Sequence, residues 1–330
     1  LRKFSFKELI LSVVVGTSAL FLTLFAIYFF GYYSSPGPLE AKKVVYIQKG
    51  SGLSAIAQHL GNEGIIDHPL FFEAHLRLRG VSHHLRAGEF EFRPHESPAQ
   101  VFETLSTGPF VQHGITVPEG MRTKDVIGLL NASNLLTKEG TVAVKEGEIL
   151  PETYYYTRDE SQAAVLDRMK HAMNAVLEKA WHLNKTGHFL QNPQEVLVLA
   201  SIVEKETGVA AERPRVAAVF LNRLKRGMLL QSDPTVIYGL EYELNRPVEQ
   251  LSKADLHMPT SYNTYLHKGL PPTPICNPGK ASIEAVMKPM ATEDLYFVAD
   301  GTGGHVFART YEEHMVNHQK WRRIRASHSE

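Results

Sequence analysis

The chain has 330 residues in which 35 Lys+Arg offset 35 Asp+Glu, so the formal charge is zero and composition offers no basic face for nucleic acid. That length holds two folded domains or one domain plus a smaller module. The lone cysteine, Cys276, excludes an intrachain disulfide.

Leu9–Tyr33 carries no charged residue and is long enough to cross a bilayer as a helix. Tyr28, Tyr32 and Tyr33 stand at its far end, where an aromatic belt sits. Arg2, Lys3 and Lys7, offset by Glu8, precede it, and Glu40, Lys42 and Lys43 follow; the small asymmetry favours an N-terminus inside and the bulk of the chain outside. A cleaved signal peptide is the competing reading, but the apolar run is long for one and no Ala-x-Ala site follows. The expectation is therefore a cytoplasmic stretch at 1–8, a transmembrane anchor at 9–33 and a linker at 34–43.

From Val44 the pattern turns to a small α+β module, 44–108. Val44–Gln48 reads as a strand, Leu53–Leu60 and a segment near Pro69–Arg79 as helices, Gly88–Phe92 as a strand, and Ser97–Leu105 as a helix capped by Ser97 with Pro98 behind it. In YIQKGSGLSAIA, Tyr46, Lys49, Gly50, Leu53, Ile56 and Ala57 resemble the start of a LysM domain, a glycan-binding fold; an ordinary β-turn-α start fits the same residues. A connecting β-rich part, 109–160, carries a strand at Gln112–Val117, a helix near Thr123–Asn131 and the tyrosine-dense ILPETYYYTR, whose Glu152 is a candidate acid for a groove. The larger domain, 161–330, opens with an amphipathic helix over Gln162–Trp181.

Asn192–Gly208 concentrates the chemistry. Asn192 suits a cap, Pro193 the first helical position, Glu195 the third, and Gly208 a left-handed close. Val196, Leu199, Ala200 and Val203 recur at helical spacing as a buried face. Glu206 projects on one flank of that face, between Leu199 and Ile202, and Glu204 on the other. A carboxyl held among Leu and Ile at a helix C-terminus has its pKa raised by desolvation and by the helix dipole, which suits a general acid. A salt-bridged or snorkelling Glu would show the same pattern, and the helix face only leans toward Glu206 over Glu204.

Glu212–Arg226 reads as a further helix. Leu230–Leu240 and Thr260–Gly279 show little periodicity and read as long functional loops. Their Gln231, Asp233, Tyr238, Tyr262, Asn263 and Tyr265 suit a carbohydrate groove, hydrogen-bonding hydroxyls and packing ring faces. Leu295–Thr310 reads as two strands about a Gly-rich turn, and Tyr311–Arg325 as a final helix. His314 and His318 are spaced as zinc ligands can be, but Met315 stands where HExxH has its Glu, so no metal or cofactor is expected. Cys276 has no identifiable His partner and no G-x-S-x-G elbow occurs, which leaves covalent hydrolysis without support.

Taken together, LASIVEKETG, FLNRL, LQSDPTVIYG, SYNTY, GLPPTPI, NPG and LYFVADGTGGHVF, in that order behind an anchor and a LysM-like module, resemble the YceG-like family of bacterial endolytic murein transglycosylases. The resemblance implies an α+β protein with a transmembrane helix, a LysM-like module and a YceG-like catalytic domain. It implies cofactor-free cleavage of the β-1,4 bond between N-acetylmuramic acid and N-acetylglucosamine in nascent glycan strands outside the inner membrane, leaving 1,6-anhydro ends. The second Glu of EKE carries catalysis in the family's motif and maps to Glu206. Glu204, Glu152 and the loop residues above become substrate contacts, peptidoglycan strands the partner, and cell-wall synthases further partners in terminating polymerisation. A water-using muramidase, with Glu152 or Asp233 as second carboxylate, and a non-enzymatic glycan-binding scaffold are the alternatives.

Overall fold

A computed structural model describes residues 6–184 and 189–327, so the basic residues Arg2 and Lys3 lie outside the described part. The apolar run forms α1 (Phe6–Tyr32). Within it, Leu9–Tyr32 has a mean hydropathy of 2.4 and buries none of its most apolar window, so it is long and apolar enough to cross a membrane.

The chain divides into two compact units, 1–113 with 157–159, and 114–156 with 160–330. In the first, β1 (Lys43–Ile47) leads into α2 (Leu53–Asn62) and α3 (Pro69–Leu78), and β2 (Gly88–Phe92) returns antiparallel to β1 with Val45 opposite Phe90. Gly50 makes the tight exit from β1 at φ +83°, a left-handed conformation glycine adopts without a Cβ penalty. Ser97 starts α4 (Pro98–Thr107) with a reciprocal capping box: its hydroxyl accepts from Gln100 N–H and Gln100 Oε1 accepts from Ser97 N–H. Val45, Ile47, Leu60, Phe72, Leu76, Phe90, Phe92, Val101 and Leu105 form the core of this unit.

The second unit takes in β3 (His113–Thr116) from Gly114 onward, α5 (Thr123–Ala132) and β4 (Thr153–Tyr156), which pairs with β3. Strand alternation sorts the three tyrosines: Tyr154 and Tyr156 are buried with their hydroxyls on Leu150 O and Ser133 Oγ, and Tyr155 faces out. Next come α6 (Gln162–Asn184), α7 (Pro193–Glu206), α8 (Arg213–Lys225), α9 (Asp233–Glu243), α10 (Lys280–Met287), the hairpin β5 (Tyr296–Ala299)–β6 (His305–Ala308) and α11 (Tyr311–Ser327). α7 lies at the centre of the main core, packed by α6, α8, α9 and α10.

Three departures from the sequence reading stand out. Leu230–Leu240 is not a loop throughout, because Pro234 opens α9 at Asp233 and Thr235, Val236, Tyr238, Gly239 and Leu240 are all buried. A helix buried on most sides shows no 3.6-residue alternation to read. α10 is a different case: it is amphipathic, with Lys280, Ala281 and Glu284 exposed against buried Ser282, Ile283, Ala285, Val286 and Met287, and it begins where the long loop was read to end. Gly208 does not close α7 in a left-handed conformation; the helix ends as Thr207 turns extended, at φ −141°.

Candidate active site

Glu206 is the last residue of α7, a helix capped at its N-terminus and gripped along its length. Asn192 Oδ1 accepts from Glu195 N–H at 2.9 Å, while Glu195 Oε2 accepts from Gln191 N–H. Val196 through Val203 are all buried, so helix rotation is set by packing on every side. Within this run Ser201 Oγ accepts from Ile275 N–H at 3.0 Å, which ties the PTPICNPG segment to the helix.

The carboxyl of Glu206 meets Ser232, whose hydroxyl donates to Oε1 at 2.5 Å. Desolvation by the surrounding protein is the dominant influence and raises the Glu206 pKa from 4.5 to about 7. The Ser232 hydrogen bond pulls the other way, nearby Asp233 adds to the rise, and the positive fields of His305 and Arg223 offset part of it. The group is therefore an acid balanced between protonation states near neutrality.

Arg223 shapes this corner. Nearly buried, its guanidinium donates to the carbonyls of Leu295 at 2.6 Å and Leu230 at 2.7 Å, and lies over the Tyr296 ring. Gln231 adopts a left-handed backbone at φ +53°, unusual for a residue with a Cβ. Two anchors hold it there: Arg223 on Leu230 O before it, and the Gln231 N–H donated to Thr264 O. Ser232 N–H is then received by Thr264 Oγ1 at 3.0 Å, and Thr235 Oγ1 closes the knot against Ser232 O and Thr264. The kinked backbone delivers the Ser232 hydroxyl to Glu206.

Asp233 is exposed beside this knot and accepts the Tyr265 hydroxyl at 2.5 Å. Burial and that carboxylate push the Tyr265 pKa upward, keeping the phenol neutral. Behind Glu206, Glu212 accepts from His305 through both backbone N–H and Nδ1 and from the Thr207 hydroxyl. Burial raises the Glu212 pKa, but these hydrogen bonds outweigh it and leave the carboxyl below its ordinary value. The pair thus presents a carboxylate bonded to imidazole, which fixes the ring edge-to-face with Phe297.

The residues nominated from sequence divide clearly. Glu206, Gln231, Asp233 and Tyr265 come together around Ser232, with Gln231 and Asp233 open to solvent. Glu204 serves another purpose: its buried carboxylate accepts from Gly279 N–H at 2.8 Å and pairs with Arg213, holding the NPG turn. Tyr238 and Tyr262 pack edge-to-face in the core, their hydroxyls engaged with Glu146 and Thr273. Asn263 is fully buried, its amide donating to Leu256 O and Met258 O and its oxygen accepting from Tyr265 N–H, so it shapes the loop that carries Tyr265. Glu152 is exposed at the head of β4, and none of the hydrogen bonds around Glu206 reaches it.

Sequence reading missed Ser232, Arg223, Thr264 and His305. Each lay inside a motif already singled out: LQSDPTVIYG, FLNRL, SYNTY and GTGGHVF. Among the described residues no group of His, Cys, Asp and Glu is arranged to hold a metal ion. The arrangement can donate a proton from Glu206, take one back, and hydrogen-bond a polar ligand through Asp233, Gln231 and Tyr265.

A carboxyl at a helix end, its pKa raised to about 7 and a serine hydroxyl on one oxygen, has the chemistry of a general acid or base near neutrality. The YceG-like family model matches residues 45–320, and the chain belongs to that family. An endolytic murein transglycosylase of Bacillus subtilis is 30% identical over 309 residues, covering 84% of this chain and 84% of the relative. One from Streptococcus pneumoniae is 27% identical and matches 88% of this chain but 61% of its own length. The crystal structure of a YceG-like protein from Listeria monocytogenes is similar with a TM-score of 0.52 at 27% identity, over 84% of this chain and 99% of that one.

Proposed function

We propose that the protein is a membrane-anchored endolytic lytic transglycosylase that cleaves the β-1,4 bond between N-acetylmuramic acid and N-acetylglucosamine within nascent peptidoglycan strands. The observation that carries this reading is Glu206, a carboxyl with its pKa near 7 and Ser232 on one oxygen, beside the solvent-open Asp233 and Gln231. The names of the Bacillus and Streptococcus relatives point to the same reaction.

In this mechanism protonated Glu206 gives its proton to the glycosidic oxygen as the C1–O bond breaks, and the leaving sugar departs with a new hydroxyl. The muramyl C6 hydroxyl oxygen then attacks C1 and its proton passes to the Glu206 carboxylate. The acid is regenerated, no water is consumed, and a 1,6-anhydro end results. Asp233, Gln231 and Tyr265 hydrogen-bond the sugars, and no cofactor takes part. A water-using muramidase would need a second carboxylate at the right separation, for which Asp233 is better placed than Glu152.

α1 anchors the chain in the inner membrane with the N-terminus cytoplasmic and the catalytic unit outside, where cell-wall synthases make its substrate and strand termination is its role. The 44–108 module serves as a spacer or partner contact in preference to a sugar site. Arg158 covers the Tyr46 ring at 4.2 Å and the Tyr46 hydroxyl is given to Asp159, so that face is occupied. The test incubates the full-length protein with uncrosslinked glycan strands and reads new ends by mass spectrometry. Anhydromuramic ends lost in Glu206→Gln are expected; reducing muramic ends would replace the lyase with a hydrolase, and binding without cleavage by the parent would leave the scaffold. Unchanged strand lengths on depletion would remove the termination role.

A further inference from the structure

We infer that α3 is a membrane-interfacial helix, lying in the headgroup region of the outer leaflet beside the spanning helix. The inference rests on α1 being the anchor, and it adds a second surface at which the N-terminal unit meets lipid.

α3 is apolar on two faces. Phe72 and Leu76 point into the core of the unit and are fully buried. At about 100° per residue, Leu70, Ala74 and Leu78 form a separate stripe, with Phe71 and His75 between the stripe and the core face. Leu70 and Leu78 are 76% and 73% exposed, which leaves two large aliphatic side chains on one edge of a ten-residue helix without protein cover.

Lipid is identified as the occupant by what touches the intervening face. The Phe71 ring lies 6.0 Å from Phe25 and 5.3 Å from Phe29, both on α1, and His75 stacks on Phe29 at 4.0 Å. Tyr28 hydrogen-bonds His68 at 3.0 Å, just before α3 begins. The apolar span ends at Tyr32, so Phe25 sits roughly 10 Å inside its exit end along the helix, while Tyr32 and Tyr33 themselves are buried against the unit. A ring in contact with Phe25 therefore cannot stand clear of the bilayer in water. The Leu70–Leu78 stripe borders that same contact face, so it faces the acyl boundary. The flanks suit this depth: Arg77, exposed and paired with Glu73, borders the stripe, and Arg79 is exposed just past the end of α3 over the Tyr33 ring at 5.1 Å, at a level where guanidinium groups meet phosphate headgroups.

The test uses the full chain in phosphatidylethanolamine–phosphatidylglycerol vesicles, spin-labelled singly at Leu70→Cys, Leu78→Cys, Leu22→Cys and Glu103→Cys. The native Cys276 is fully buried and stays unlabelled. Leu22 reports the anchor alone, and Glu103, exposed on α4, reports a water-facing site. Power saturation with oxygen and a nickel chelate gives the accessibility of each label to lipid and to water. The inference expects an oxygen-to-nickel ratio at 70 and 78 several-fold above that at 103 and approaching that at 22. Ratios at 70 and 78 equal to 103, with 22 lipid-exposed, overturn the interfacial helix and leave the anchor standing. A water-like ratio at 22 as well overturns both.

Discussion

Ser232 donates its hydroxyl to Glu206 Oε1, while Asp233, the next residue, raises the pKa of that same carboxyl through its charge. Neighbours on one kinked segment thus push a single acid in opposite directions. Their removal should separate the two effects. Ser232→Ala withdraws a bond that favours the ionised form, so the descending limb of the pH profile of kcat/KM should move to higher pH. Asp233→Asn keeps an acceptor for Tyr265 but removes the charge, so the limb should move to lower pH. Shifts of the same sign in both variants would mean that Glu206 is not the group being titrated.

Glu206 also sets a pH dependence of stability. Its pKa rises from 4.5 to about 7 on folding, so its contribution is fully present below about 4.5 and is lost as pH climbs through about 7. Glu206→Gln keeps an acceptor for Ser232 and cannot ionise. It should therefore be more stable than the parent at pH 8, by at most about 3 kcal/mol, with the gap closing toward pH 4. Denaturant midpoints across that range measure it, and a pH-independent difference would contradict the raised pKa.

Most of the architecture was readable because its elements are amphipathic or well punctuated. Ser97 and Asn192 announced α4 and α7, and the alternation of Gly88–Phe92 announced β2. α9 was not readable, since burial on most sides removes the periodic contrast on which such a reading depends, whereas α10 is amphipathic but only eight residues long. At the site, an acid on the edge of an Ile-Val-Leu helix is a conspicuous cost, yet that pattern only leaned toward Glu206 over Glu204, and it was the resemblance of EKE to the family's motif that singled out Glu206. Ser232 and Arg223 were not, because their roles arise from the left-handed Gln231 and from carbonyls at Leu230 and Leu295, which no local pattern announces. Tyr238, Tyr262 and Asn263 carry groove-like chemistry yet spend it on one another and on backbone.

Glu204 offers a control for the assignment of its neighbour. Its carboxylate satisfies Gly279 N–H and pairs with Arg213, so Glu204→Ala leaves both without that partner. The expected cost is about 1–3 kcal/mol of stability, with lower activity but an unmoved pH limb. A moved limb would put Glu204 in the proton transfer itself.

Two glycines test how the site is held from behind. Gly239 lies inside α9, where helix propensity alone favours alanine by about 1 kcal/mol. A Cβ there would overlap Thr260 Oγ1 and approach Thr260 Cβ to 2.9 Å and Tyr262 Cβ to 3.2 Å, atoms fixed close to the backbone. At Gly279 the overlap is with the carboxylate end of Glu119, a side chain that can swing aside. Gly239→Ala should therefore destabilise by about 2 kcal/mol despite its propensity gain, and Gly279→Ala by under about 1 kcal/mol. Thr260 and Tyr262 lead directly into Asn263–Tyr265, whose backbone and hydroxyls seat Gln231 and Ser232. Gly239→Ala should accordingly lower kcat more than Gly279→Ala when both are compared at temperatures where they are fully folded. Equal midpoints for the two variants would show that the Thr260–Tyr265 segment yields freely and does not brace the Glu206 site.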